Sequence, residues 1–490
     1  RPAERWVLAL AIAALAALAW HRSLAYGFSQ DDFLSIARVR GLAPRLAGPW
    51  RVLANQWFWD AGVRLLGLQA ARWHAIVLAV HATDAGLLAT LLARRFSAPA
   101  ALLGSALWAV HPAFRTALWW VSANGDPFLT LFMLLATAAW FSRGAWRWAS
   151  PPLLLVALAW KESGLLFPLA LAALATLGPA PRRPLVAVLR DPVWWVLAAV
   201  AVAWALAIAG FVGHLGGSSA AYAPSLAAIG RNLLTYASWT PTWLDWLRHD
   251  VSDAVRPAFV MSGAWVLAAG LAGLAWRPWR ERGAGGAMLA AALLLAPVLP
   301  LASHTYHYYL HAPLAALAAA SAALFDTTTA RLAPAWRAAA AGLIATPLVA
   351  AAMLLVHALE TQPFRLPGSR ADGTLDRALI AEHAVADLRE TVLPSHTRLR
   401  MWAPQLQAMA RETGQDPSRE TYEEGNVRAA LLDGLALRVM ISALDSVAFV
   451  RAFSPADTSA CWAVYRWDGH LRAAPGAAFA RVVAEAGLRR

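Results

Sequence analysis

Asp31 and Asp32 stand side by side in the stretch Phe28-Ser29-Gln30-Asp31-Asp32-Phe33. Adjacent carboxylates repel, so one of them holds its proton more tightly than an isolated aspartate does. That suits a general base working near neutral pH. Two hard oxygen ligands could also share a divalent cation, so a possible cation at Asp31/Asp32 is the one cofactor the residues suggest. The same residues fit a helix cap equally well, with Ser29 or Asp31 ahead of a loop helix that begins at Phe33.

Three further stretches carry polar chemistry. His111-Pro112 precedes Trp119-Trp120-Val121-Ser122-Ala123-Asn124-Gly125-Asp126-Pro127-Phe128. The Asn-Gly-Asp-Pro run is a turn signal, and it could bring Asn124 and Asp126 to the cavity that Asp31 faces. Trp119 and Trp120 are read as anchors at a membrane interface, ahead of a stacking surface for a sugar. Lys161, followed by Glu162, is the only lysine in the chain. The two side chains either pair with each other or offer a point charge to a phosphate. The stretch from Pro297 to His311 then sets His304, His307 and His311 among Tyr306, Tyr308 and Tyr309. No acid is near in sequence, so a hydrogen-bonding surface for phosphate or sugar is preferred to a metal site, and no metal ligand is assigned.

Something must hold these residues, and composition says what. Of 490 residues, 59% are hydrophobic and only 14% charged, against about 25% charged in an ordinary soluble domain. Apolar runs recur, each near the roughly 20 residues of a bilayer crossing. The reading is eleven spans, at about 6–24, 73–92, 98–111, 128–141, 149–160, 165–177, 193–212, 259–276, 287–301, 310–325 and 338–359. Arginine clusters test it. Arg94 and Arg95, Arg143 and Arg147, Arg182 and Arg183, Arg277 and Arg280, and Arg331 and Arg337 all fall on the side of the N-terminus, as the positive-inside rule requires of cytoplasmic loops. The net charge of +13 is therefore a topology signal, and nucleic acid is excluded as a partner. To keep the count even, 149–160 and 165–177 form a short hairpin with Lys161 and Glu162 at its outer tip.

The fold expected is mainly α: a polytopic transmembrane bundle over residues 1–359, with external loops 26–72 and 213–257, followed by a small extracytoplasmic α/β domain over 360–490. In that tail, Ala381–Thr391 and Asn426–Leu437 read as helices. Ser446–Phe453 and Cys461–Trp467 alternate like strands, the latter closing on the turn pair Asp468-Gly469. The single cysteine, Cys461, leaves no partner for an intramolecular disulfide. In the 213–257 loop, Trp239, Trp243 and Trp246 with Arg231 and Arg248 suit a helix lying in the interface.

Taken in order, the four polar stretches resemble the GT-C glycosyltransferases, and among them the protein O-mannosyltransferase-like families and their bacterial relatives. The likeness rests on the acidic pair Asp31-Asp32, on His111-Pro112 with the Trp-rich turn to Asp126, on Lys161-Glu162-Ser163, and on the Pro-x-x-Pro and His/Tyr loop to His311. It covers about the first 325 residues. It implies a multi-pass protein of the bacterial inner membrane with its site and C-terminus outside. The implied reaction is inverting transfer of a sugar, mannose-like above all, from a polyprenyl-phosphate carrier to a hydroxyl on a protein, lipid or glycan. Asp31 would be the base, Asp32 its neighbour and Asp126 a supporting acid. Lys161, with Arg231 or His307, would meet the carrier phosphate, and Glu162, Asn124, His304 and Tyr308 would line the site. The chain departs from the pattern in carrying Asn124-Gly125 where many relatives have an arginine, and in lacking a Glu-Arg in the aromatic loop.

Three rivals compete. A polysaccharide or lipid transporter or flippase would bury polar residues along a path, and only His81 and Asp84, read as a buried pair, break the apolar spans. An O-antigen-type ligase, or a scaffold that has lost activity, would share the fold.

Overall fold

The computed structural model describes residues 2–46, 48–179, 181–212, 224–241, 256–301, 304–363, 369–370, 372–412, 422–454, 456–457, 459–466 and 468–485. Each of the eleven apolar runs is helical. The helices are α1 (Pro2–Trp20), α2 (Ala70–Ala93), α3 (Ala98–Ala109), α4 (Gly125–Trp140), α5 (Ser150–Trp160), α6 (Phe167–Leu177), α7 (Pro192–Val212), α8 (Arg256–Ala275), α9 (Ala284–Leu295), α10 (His311–Thr328) and α11 (Pro334–Thr361). In hydrocarbon a backbone must satisfy its own polar groups, and a helix does so within one segment. Among the described residues, five stretches are both long and apolar enough to cross a membrane: Ala3–Ala25, Ala70–Ala93, Pro192–Gly210, His307–Thr328 and Pro334–Thr361. Glu162–Leu177, Ser262–Ala275 and Ala284–Val298 are apolar but shorter. Large apolar side chains such as Leu10, Leu206 and Leu343 point outward and are exposed, as suits a surface facing lipid rather than water.

Helices α5 and α6 do not form the expected hairpin. Helix α5 packs on α4 and α7, whereas α6 packs on α9. The two diverge from a one-turn break at Glu162–Leu166. Lys161 is consequently buried instead of standing at an outer tip. His81 and Asp84 are also not a pair. His81 faces His311 at 3.2 Å, and neither carboxylate oxygen of Asp84 has a hydrogen-bond partner among the described residues.

Between α1 and α2 the chain builds the helices Asp31–Val39 and Phe58–Leu66. Of the long loop expected at 213–257, residues 226–239 are a helix (Leu226–Trp239), while Trp243, Trp246 and Arg248 lie outside the described residues. The tail opens with α12 (Gly373–Glu390) and contains four strands, β1 (Thr397–Trp402), β2 (Leu444–Val450), β3 (Cys461–Tyr465) and β4 (Leu471–Pro475). Their order is β2-β1-β3-β4. β1 runs parallel to both its neighbours and β4 is antiparallel to β3. The turn between β3 and β4 has Gly469 at φ 79, where a Cβ would sit 2.5 Å from the Ile380 carbonyl oxygen, so only glycine fits. The expected helix Asn426–Leu437 is two pieces, Tyr422–Ala430 and Leu435–Met440. Leu432, Asp433 and Gly434 between them all have positive φ, which no continuous helix tolerates.

The tail is fastened to the bundle in two ways. A shared core packs Phe28, Phe33 and Ile36 of the first loop with Ile380, Leu399 and Met401 of the tail. A buried ion pair joins Arg115 Nε to Asp372 Oδ2 at 3.0 Å. The other oxygen, Oδ1, caps α12 by accepting from the backbone N–H groups of Thr374 and Leu375. Removing one partner of a buried pair strands the other charge, at a cost of about 3–5 kcal/mol. Asp372→Asn, which keeps the cap oxygen, should therefore lower the thermal midpoint in detergent. It should also expose the tail to limited proteolysis at a protease dose that leaves the wild type intact.

Candidate functional site

The polar residues meet at the end of the bundle where α4 begins and α5 ends. Phe128, in the first turn of α4, stacks on Trp160, the last residue of α5, at 3.9 Å between centroids and 5° between planes. Phe58 closes edge-on against both rings. Offset aromatic pairs of this kind hold a defined geometry as well as burying area. With the two helix ends locked, Asp126 and Lys161 come face to face, and the Lys161 ammonium donates to Asp126 Oδ2. Both side chains are about 5% exposed. Gly125 permits the approach, since a Cβ there would lie 3.3 Å from the Trp160 carbonyl oxygen and 3.5 Å from Lys161 Cδ.

Around that pair the charges alternate. Next to Lys161, Glu162 pairs with Arg51 through two hydrogen bonds, the one from Nε at 2.8 Å. This second pair is partly open to solvent. The Lys161 ammonium also lies over the rings of Tyr308 and Tyr309, at 4.5 and 4.4 Å from their centroids. Two aromatic faces and one carboxylate thus hold a desolvated cation. Asn124, one residue before α4, is fully buried, and its amide oxygen and nitrogen have no hydrogen-bond partner among the described residues.

Asp32 occupies a different layer. It is fully buried, and its Oδ1 accepts from the backbone N–H of Ser122 at 2.7 Å and from the Ser122 hydroxyl at 2.6 Å. Its Oδ2 accepts from the Ser29 N–H at 2.9 Å, while the Trp120 indole donates to the Ser29 carbonyl. Asp32 therefore clamps the first loop to the Trp-rich turn. Burial pushes its pKa up to about 7, against the pull of the Ser122 and Ser29 hydrogen bonds. Gln30, just before it, has φ 47, an unusual conformation for a residue with a side chain, and accepts from Arg377 of the tail at 2.8 Å. Asp31 is exposed. Desolvation by the surrounding protein raises its carboxyl above the usual range, with Arg38 and Arg377 pulling it down. The loop helix begins at Asp31 rather than at Phe33. Its two aspartates point to different surroundings, one inward and one outward, and no group of three or more metal-ligating side chains occurs among the described residues.

The late aromatic loop divides as well. His307 stacks on Trp239 at 3.8 Å, with Nδ1 3.5 Å from Arg115. His304 is half-buried and meets Tyr306 edge-on. His311 belongs to the bundle core, hydrogen-bonded to Thr130 and His81, so the three histidines do not converge. Arg231 is exposed and donates to Asn232. Trp119 is wholly buried against Trp20 and Tyr26, which removes it as an interface anchor. Reasoning from sequence missed Arg51, Arg115 and Asn232, the last pinning the loop through the carbonyls of Leu299 and Leu301.

No protein-family model matches the sequence, and no curated protein matches it. Among solved structures, ArnT from Cupriavidus metallidurans bound to undecaprenyl phosphate is similar at 16% identity and a TM-score of 0.42, over 88% of this chain and 76% of that one. The same enzyme in the apo state gives 17% identity and the same TM-score, over 90% and 77%. A likeness so distant fixes neither family nor reaction.

The raised pKa of Asp32 carries a signed consequence. Between the ordinary aspartate range and about pH 7 the folded protein holds a proton that the unfolded chain has released, so stability from this group falls as pH rises. Wild type should lose thermal stability relative to Asp32→Asn from pH 5 to pH 7, and the gap should be flat above that. Melting curves of both proteins at four pH values would show a constant gap instead if Asp32 titrates normally.

Proposed function

We propose that this protein is a membrane glycosyltransferase that takes a sugar from a polyprenyl-phosphate carrier and passes it to a hydroxyl of an extracytoplasmic acceptor. The observation that supports this reading is the charged array Asp126–Lys161–Glu162–Arg51, its inner pair buried and its outer pair partly open, at one end of an apolar bundle. Charges at membrane depth are costly, and are kept where a substrate or ion needs them. Lys161 and Arg51 are the cations this reading assigns to a lipid-borne phosphate.

In the reaction the acceptor oxygen bonds to the anomeric carbon as the bond from that carbon to the phosphate oxygen breaks. The acceptor proton passes to a carboxylate, and the phosphate leaves with the bonding pair. Lys161 and Arg51 are the groups we assign to the developing phosphate charge, each released in part from its carboxylate partner. Preorganised charge of this kind is usually the largest contributor to rate. Asn124 offers an unsatisfied buried amide to a sugar hydroxyl. Asp31 is assigned as the base, because its carboxylate is exposed and open to an acceptor and its pKa is raised rather than lowered by its surroundings, which favours proton uptake. Asp32 positions the turn that carries Asn124 and Asp126. His307, Tyr308 and His304 close the other side, and Arg231 is left at the rim. A mannose-like sugar and the inverting outcome follow from the sequence resemblance, as does the site's position outside the inner membrane.

The test is sugar transfer in membranes supplied with labelled polyprenyl-phosphate sugars, mannose first. Wild type should transfer. Lys161→Met should lose about 10²–10³-fold in rate, the loss typical of removing one preorganised charge donor, and Asp31→Asn should lose the base. No transfer by wild type from any polyprenyl-phosphate sugar would overturn the reading. Full activity in Asp31→Asn would move the base elsewhere and leave the class intact.

A further inference from the structure

A second, chemically different site lies at the opposite end of the bundle. A half-open cavity of about 410 Å³ lies among α2, α4, α6, α9 and α10, within the range of specific small-molecule sites. Its wall is mostly apolar, with Leu88, Met133, Leu134, Phe167, Leu294 and Ala316 among the lining residues. It extends from Thr130, one helical turn below Asp126, to the loops that follow α2 and α4. At that mouth stand Arg94, Arg95 and Arg143.

Elsewhere on that side, Arg147 and Arg183 share the single carboxylate of Asp191. Arg94 and Arg143 are exposed and form no ion pair with a carboxylate among the described residues. Arg95 is half-buried, its guanidinium 5.0 Å above the Phe141 ring at the cavity mouth. Three cations at the opening of a deep apolar cavity match an amphiphile with one anionic head and a hydrocarbon chain. Basic pockets between membrane helices on the cytoplasmic side commonly recognise anionic lipid head groups in this way.

We infer that this cavity is a binding site for an anionic phospholipid of the arginine-side leaflet, its phosphate at Arg94, Arg95 and Arg143 and one acyl chain running inward toward Thr130. The chain contributes apolar burial for each methylene enclosed, and the head supplies the charge selectivity. Nothing in it depends on sugar transfer at the other end.

The test uses purified, delipidated full-length protein in nonionic detergent, given equal amounts of phosphatidylglycerol and phosphatidylcholine, with bound lipid counted by native mass spectrometry. Wild type should retain phosphatidylglycerol by about tenfold over phosphatidylcholine, in line with attraction accumulated over several arginines. The triple variant Arg94→Gln, Arg95→Gln, Arg143→Gln changes mouth residues alone and should lose that preference. Ala316→Phe, which fills the cavity, should retain neither lipid at the wild-type level while leaving the arginines in place. Equal retention of both lipids by wild type, or an undiminished preference in the triple variant, would overturn the assignment. So would displacement of phosphatidylglycerol by an equimolar polyprenyl phosphate, which would give the cavity to the carrier instead.

Discussion

The ion pair between Lys161 and Asp126 is the constraint to which the rest of this structure answers. An ammonium and a carboxylate taken out of water are each expensive, and their mutual attraction repays that only when geometry is close and the remaining hydrogen-bonding capacity is met. The chain meets the demand with rigid parts. The Phe128–Trp160 stack holds the two helix ends together, Gly125 lets the backbones approach, and the faces of Tyr308 and Tyr309 take up the side of the ammonium that Asp126 does not. The break between α5 and α6 follows from the same requirement. A continuous helix through Lys161 would carry on along the α5 direction, and Glu162 would then turn away from Arg51.

The first loop and the tail extend the same logic. Arg51 reaches the site from the first loop, so that loop must be held, and Asp32 holds it by gripping Ser122 of the turn next to Asp126. The first loop in turn shares a core with the tail. Arg115, from the same turn region, is fixed by an aspartate that also begins α12. Each layer thus orients the one beneath it.

Much of this was legible before any coordinates. Apolar run length located eleven helices, because the bilayer imposes a length, though among the described residues five stretches are long and apolar enough to cross it. The strand and turn signals at Ser446, Cys461 and Asp468-Gly469 also located real elements. What local pattern could not supply was partnership. Lys161 finds Asp126 across 35 residues, Arg51 finds Glu162 across 111, and Arg115 finds Asp372 across 257. None of these pairings leaves a periodic trace. For the same reason Lys161 and Glu162 read as a pair when each has another partner, and Asp31 and Asp32 read as one site when only Asp32 turns inward. Strand β1 was missed because Arg398 and Arg400 interrupt an otherwise apolar run, and β4 because Leu471–Pro475 is short and alanine-rich.

A proton count decides how the two ends of the bundle are kept apart. Between the charged site and the apolar cavity lies a chain of contacts: Thr130 Oγ1 to His311 Nδ1 at 2.9 Å, His311 Nε2 to His81 Nδ1 at 3.2 Å, and His81 Nε2 to the Ala109 carbonyl at 2.9 Å. The carbonyl only accepts, so His81 must carry its proton on Nε2. Its Nδ1, if the ring is neutral, then accepts, and His311 must carry its proton on Nε2. His311 Nδ1 is then an acceptor toward Thr130 Oγ1, whose single proton is shared between that nitrogen and the Asp126 backbone carbonyl, 2.9 Å away. Both rings are neutral in this arrangement, as a core where an unpaired charge is prohibitively costly requires. The arrangement sets a satisfied, uncharged floor beneath Asp126 and Lys161, so the site's charges end within one helical turn and the cavity below can remain apolar.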